Sequence, residues 1–308
     1  MARKQLIHLK TDHRFRLTSL QLALDSFLLD AEARRLTPKT IRYYRQQIKP
    51  FLDFLREQRV VTPEAITAHH IRRHMVDMQR RDLADASIHA SVRAIRAFCN
   101  FMVREELLDK SPMRKVQMPK LEQRILPAFT PVEVQRLLAF CENDRDKAIV
   151  LCLLDTGCRV SEFAALDVGD VDIHTGKVLV RHGKGRKQRV AFLGARARKA
   201  LLKYFMVRGD VQADGPLWPS QNTGKRLTDS GLRLMLRRLG RRAEVDHCNP
   251  HTFRRSFALW SLRAGMNIYA LQQIMGHSDL SILRRYLALV EEDLLDAHQK
   301  YGAVDNML

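Results

Sequence analysis

The chain has 308 residues, 45% of them hydrophobic and 28% charged, with 53 lysines and arginines against 34 acids and a net charge of +19. This length suits two domains of ordinary size, and the composition excludes a chain too polar to build a core. Both halves carry the basic excess, with 24 Lys and Arg against 13 acids over residues 1–120 and 29 against 21 over 121–308. Such a balance suits a polyanionic partner, since each phosphate neutralised releases condensed counterions, although a basic protein can also be merely soluble.

Residues 1–16 carry Arg3, Lys4, Lys10, Arg14 and Arg16 without an apolar period and read as a basic arm. Residues 17–110 read as a helical domain. Leu20, Leu24, Phe27, Leu28 and Ala31 recur at helical spacing, and Thr37-Pro38 provides the N-cap and first-turn proline of a second helix with Ile41, Tyr44, Ile48, Phe51, Leu52 and Leu55 inward. Pro50 lies inside that pattern and is expected to kink or split the helix. A third helix is expected after Pro63, with Ile66, Ile71, Met75 and Met78 inward, and a fourth from about Ser87, burying Ile88, Val92, Ile95, Phe98, Cys99 and Met102. The outer faces offer Lys39, Arg42 and Gln46 on one helix and His89, Arg93, Arg96 and Asn100 on another. These faces suit DNA phosphates, but basic helix faces are also commonly just solvated.

Residues 111–129 lose periodicity and hold Pro112, Pro119 and Pro127, as a linker does. A second domain is predicted over 130–308. Thr130-Pro131-Val132-Glu133 is a capping box that starts a helix, and a further apolar helix ends at Gly157. Between Val171 and Leu193 the period changes to two, with turn signals at Thr175-Gly176 and Gly183-Lys184-Gly185, so a small antiparallel sheet is predicted within an otherwise mainly α fold. Helices resume from Gly194.

Cys99, Cys141, Cys152, Cys158 and Cys248 are odd in number and form no C-x-x-C pair, so neither a metal site nor disulfides are expected. No signal-type apolar core opens the chain, and the apolar run from Ala148 to Leu154 is far short of a membrane span. The expected setting is the reducing cytoplasm, with no membrane partner.

Attack on a phosphodiester needs a nucleophile, cations that hold the non-bridging oxygens as charge builds, and an acid for the leaving oxygen. The second half offers all of these. Arg159 stands at a helix start after Asp155-Thr156-Gly157-Cys158, Lys184 at a hairpin tip, and His251 and Arg254 three apart on one helix face. His277 follows Gly276, and Tyr286 comes nine residues later. Taken singly, each has a plainer reading: Arg159 pairs with Glu162 across a helical turn, Lys184 is a solvated loop lysine, His251 opens a helix after Pro250, and Tyr286 packs.

Taken together, Asp155 to Glu162, His182 to Arg189, His251-Thr252-Phe253-Arg254, Gly276-His277-Ser278 and Tyr286 closely resemble the tyrosine recombinase (phage integrase) family in order and separation. Twenty-five residues separate Arg159 from Lys184, and 23 separate Arg254 from His277. The resemblance implies a helical core-binding domain followed by a mixed α/β catalytic domain. It makes Arg159 and Arg254 clamps on the scissile phosphate and Lys184 the acid for the departing 5′ oxygen. His251 becomes a proton-transfer partner, His277 a phosphate ligand and Tyr286 the nucleophile that forms a 3′-phosphotyrosine link. Neither metal, cofactor nor ATP is implied. Double-stranded DNA is the implied partner, with four protomers on two duplexes, and Glu162 is read as orienting Arg159. Arg186 and Lys187 join Lys39, Arg42, Arg93 and Arg96 as DNA-contact candidates.

Two positions depart from the family pattern. Arg255 stands where a histidine is frequent, offering a further phosphate contact, and Cys158 stands where an aliphatic residue is usual. The segment with Leu289, Val290, Leu294 and Leu295 either folds back on its own core or docks on a neighbouring protomer. Other readings are a type IB topoisomerase, a metal-dependent nuclease built on Asp167, Asp170 and Asp172, and a non-catalytic DNA-binding protein. The short arm favours a simple Xer-like or mobile-element recombinase.

Overall fold

The apolar residues that recur every three or four positions form the inner faces of the helices. Leu20, Leu24, Phe27, Leu28 and Ala31 are the buried side of α1 (Ser19–Ala33), and Ile48, Phe51, Leu52 and Leu55 that of α2 (Pro38–Glu57). The computed structural model describes residues 19–119, 127–181, 188–209, 211–276 and 302. The basic arm, the expected hairpin tip at residues 182–187 and nearly all of the segment from His277 onward lie outside the described residues.

Thr37 caps α2 by accepting from the Thr40 N–H at 3.2 Å, with Pro38 in the first turn. Pro50 neither splits nor ends this helix, which runs unbroken past it. Pro50 and Gln46, the residue whose carbonyl loses its helical donor, both lie on the exposed side, while the four buried side chains hold both halves on one core. After a 3-10 turn at Pro63–Ala65, α3 covers Ala68–Arg80; Ile66, placed inside the third helix by its spacing, is buried ahead of it. α4 (Asp85–Arg104) starts two residues earlier than expected and buries all six anticipated side chains. Lys39, Arg42, Arg93 and Arg96 are exposed, and Arg93 lies over the Tyr43 ring at 5.6 Å.

The stretch expected to be linker belongs partly to this helical core. A 3-10 turn at Pro112–Lys115 buries Met113, and Val116 follows it inward, while Arg72 donates to the Lys115 carbonyl at 2.6 Å. A 3-10 turn with extended flanks has no α-helical period, which is why its apolar residues did not register. The chain divides into two compact units, Met1–Gln123 and Arg124–Leu308, each with its own core.

The second unit opens with the expected capping box: Thr130 accepts from the Glu133 N–H and the Glu133 carboxylate accepts from the Thr130 N–H, starting α5 (Pro131–Ala139). α6 (Asp144–Thr156) stops at Gly157, and α7 (Val160–Ala164) follows. β1 (Lys177–Val180) pairs antiparallel with β2 (Arg189–Phe192), Val180 opposite Arg189. Then come α8 (Ala195–Arg208), α9 (Asp229–Arg242), α10 (Pro250–Arg263) and α11 (Ile268–Met275). Trp218 stacks between Phe163 of α7 and Tyr204 of α8, at 5.0 and 5.9 Å between ring centroids, fixing the short α7 against the body of the unit.

In the first unit His74 is buried against Phe51 and Phe54, and neither ring nitrogen has a hydrogen-bond partner. Burial pushes its pKa down to about 4, with Asp77 opposing weakly. The unfolded chain then binds the extra proton between about 6.5 and 4, so the stability given by a neutral His74 is complete above 6.5 and lost as pH falls toward 4. One pKa unit being about 1.4 kcal/mol, the loss is of the order of 3 kcal/mol. We expect His74→Phe to flatten the fall of thermal midpoint between pH 7 and 4.5; equal slopes in variant and parent would refute the assignment.

A candidate phosphate-binding active site

Gly157 ends α6 in the left-handed region, at φ +54, and its N–H donates to the Leu153 carbonyl. A β-carbon there would sit 2.3 Å from the Phe257 ring, so glycine is demanded by conformation and by packing. The turn hands the chain through buried Cys158 to Arg159, the N-cap of α7. Burial pushes the Cys158 thiol up, which keeps it an unreactive thiol.

Glu162 lies one turn into α7 with its side chain 1% exposed. Its carboxylate accepts from the Arg159 backbone N–H at 2.9 Å, from Arg159 Nη1 at 2.8 Å and from Arg189 Nη2 at 2.6 Å. Burial pushes the Glu162 pKa up, but the bonds from Arg189 and Arg159 outweigh it and hold the carboxyl below its ordinary value. Glu162 is therefore ionised and bonded to Arg159, an arrangement compatible with the orienting role that the family resemblance implied.

Asn249 caps α10 by accepting from the N–H groups of His251 and Thr252, with Pro250 at the first helical position. His251 stands exposed on the first turn, and Arg254, one turn on, points into the core at 7% exposure. Arg254 donates from Nη1 to the Gly157 carbonyl at 2.5 Å and from Nη2 to the Met275 carbonyl at 2.7 Å. Arg159 Nη2 donates to the next carbonyl, Gly276, at 3.0 Å. The two arginines that the sequence singled out thus converge on adjacent carbonyls where α11 ends, beside the start of the segment that carries His277 and Tyr286.

Arg189, which sequence reasoning left without a role, completes this cluster. It donates from Nε to the Ile274 carbonyl at 2.7 Å, so three consecutive carbonyls are each taken by a different arginine. Three guanidiniums face one carboxylate, a local excess of two positive charges among the described residues. Burial lowers the Arg254 pKa to about 10, with Arg159 next as a cause, so it stays charged at neutral pH. Partial burial and then the charges of Arg233, Arg255, Arg254 and Arg159 push His251 down, leaving a neutral imidazole able to accept a proton. Two guanidiniums with donors to spare make a site for a tetrahedral oxyanion.

The other sequence candidates divide. Arg255, read as a phosphate contact, donates from Nε to the Pro127 carbonyl at 3.0 Å and from Nη2 to Thr252 Oγ1 at 2.9 Å, stapling α10 to the segment before α5. Lys184, Arg186, Lys187, His277 and Tyr286 lie outside the described residues. The acids of the nuclease reading serve the fold: Asp167 pairs with Arg226, Asp170 with Arg181, and Asp172 accepts from the N–H groups of His174 and Thr175 in its turn.

Gly157→Ala should cost about 2–4 kcal/mol, from left-handed backbone strain plus a clash with Phe257. Thermal or urea unfolding would read this directly, and a variant as stable as the parent would mean that the turn relaxes.

Comparison with known proteins fits this geometry. Residues 24–106 match the phage integrase N-terminal SAM-like domain, and residues 127–292 match the phage integrase family, a segment that takes in all six candidate residues. The chain is 30% identical over 280 residues to tyrosine recombinase XerC of Roseiflexus castenholzii, covering 87% of this chain and 88% of that protein. It is 32% identical over 275 residues to tyrosine recombinase XerC of Bacillus subtilis, covering 85% and 90%. Among solved structures, XerA recombinase aligns at 27% identity with a TM-score of 0.52, covering 91% of this chain and 98% of the other. A lambda integrase dimer bound to a COC′ core site shares the fold at 16% identity, with a TM-score of 0.72 and coverage of 85% and 96%. The chain belongs to the phage integrase family and is a tyrosine-type DNA recombinase.

Proposed function

We propose that this recombinase cuts and rejoins double-stranded DNA at specific sites with Tyr286 as nucleophile. Its phenolic oxygen attacks the scissile phosphorus, the 3′-phosphotyrosine link forms, and the 5′ oxygen leaves with a proton from Lys184. Arg159 and Arg254 hold the non-bridging oxygens, since planar forks match two phosphate oxygens and bear the charge that grows in the transition state. The neutral His251 takes part in proton transfer near the nucleophile, and His277 binds the phosphate. The covalent link conserves the energy of the broken bond, so rejoining draws on no ATP, metal or cofactor.

The observation that carries this reading is the convergence of Arg159 and Arg254 on the adjacent Gly276 and Met275 carbonyls, immediately before His277. A phosphate between the two guanidiniums would then lie beside the segment that bears the nucleophile. The XerC relatives are recombinases, which favours strand exchange at paired sites over topoisomerase relaxation. Four protomers on two duplexes, with the segment beyond residue 289 docking on a neighbour, would complete the reaction in the cytoplasm on the nucleoid. The exposed Lys39, Arg42, Arg93 and Arg96 of the helical unit are proposed to contact the DNA backbone.

Tyr286→Phe should leave DNA affinity within about threefold in gel shifts, while SDS-resistant covalent adducts fall on the order of a thousandfold or more. Parent adducts should persist in excess EDTA. Adducts formed by the phenylalanine variant would remove Tyr286 as nucleophile, and EDTA-sensitive cleavage would point to metal-assisted attack.

A further inference from the structure

We propose that Arg189 is a positioning residue for strand cleavage, acting through Glu162 to aim Arg159 and through the Ile274 carbonyl to hold the end of α11 that both clamps grip. The inference rests on the proposed roles of Arg159, Arg254 and Tyr286 and adds a residue assigned to none of those steps.

The geometry is specific to an arginine. Its side chain is 9% exposed, and its fork spans two elements: Nε reaches Ile274 on α11, and Nη2 reaches Glu162 on α7. Glu162 then passes the constraint to Arg159 through a second nitrogen pair. Gly276 is shaped to admit it: a β-carbon at this left-handed glycine (φ +64) would meet Arg189 Cδ at 3.0 Å and Nε at 3.2 Å. Arg189 is also the first residue of β2. A lysine would keep the charge but offer one nitrogen where two directions are needed.

Among the described residues, the charged and titratable groups facing Glu162 are Arg159 at the start of its own helix, Arg189 from β2, Arg254 from α10 and the Cys158 thiol. If Arg189 is lost, the buried carboxylate keeps fewer donors and its pKa rises. Its ionised form then disappears at a higher pH than in the parent. An effect on folding alone would lower the rate evenly across pH.

The test uses the full chain and random-sequence nicked duplexes enriched for adduct formation by the parent protein. Arg189→Lys and Arg189→Gln should slow adduct formation at saturating DNA by about 10- to 100-fold, with DNA affinity within about threefold. The acid limb of the glutamine variant's pH–rate profile should move to higher pH. On a Glu162→Gln background, Arg189→Lys should cost little more, about threefold at most, because both changes cut one chain of contacts. Parent-like cleavage by Arg189→Lys, losses that multiply with Glu162→Gln, or an unmoved acid limb in a folded variant would each overturn the proposal. Tyr286→Phe run alongside separates the two readings: adducts from that variant sink the nucleophile assignment, whereas an inert Tyr286→Phe with a fully active Arg189→Lys sinks only the role of Arg189.

Discussion

The buried Glu162 carboxylate is the constraint on which the site depends. An ionised carboxyl taken out of water costs several kcal/mol unless its lone pairs are met by good donors. Glu162 at 1% side-chain exposure meets that demand with one backbone N–H and two guanidiniums from different elements. The requirement works in both directions. The arginines are fixed because the carboxylate needs them, and they can crowd together because it offsets part of their repulsion.

What remains after that neutralisation is the chemistry. Arg254 has no carboxylate among its described bonds and spends its donors on the Gly157 and Met275 carbonyls. Carbonyls orient a cation while leaving its charge in place, so in the proposed role Arg254 would keep a positive charge for a phosphate, offset only in part by Glu162. Burial and the charge of Arg159 bring Arg254 down only to about 10. A lysine starts from a pKa near 10.4, about 2 units or more below arginine, and the same environment would move it toward neutral pH, where the charge on which anion binding depends would fade. Arginine thus suits this position because of burial as much as bidentate geometry.

Much of this was legible in the residues, for reasons that differ from element to element. The helices showed themselves because their cores repeat every three or four positions, and Thr130-Glu133 and Thr37-Pro38 mark their starts by capping chemistry that needs no tertiary context. Arg159 and Arg254 were found through motif order. Arg189 was not, although it closes the matching run from His182: on a strand, alternation says only that a side chain faces one side, and a basic residue beside a basic hairpin reads as solvated. The Ile274, Met275 and Gly276 carbonyls could not have been found, since a backbone acceptor has no residue identity. Pro50 does not split its helix because the bond it removes is on the exposed side, where the orphaned backbone group belongs to an exposed residue.

Net charge alone would have placed the anion site poorly. In the second unit the acids and arginines are sorted by local stoichiometry. Ahead of β1, Asp167 meets Arg226 and Asp170 meets Arg181, one to one, so these charges are paired within the fold. At the end of α11, three guanidiniums gather around one carboxylate, which accepts from two of them while the third, Arg254, bonds carbonyls alone. The same residue types therefore make neutral pairs in one place and a cluster with excess positive charge in the other. The difference is a ratio of three to one, held in place by Gly157, whose turn lets Arg254 reach its carbonyl, and by Gly276, whose missing side chain lets Arg189 come within reach of α11.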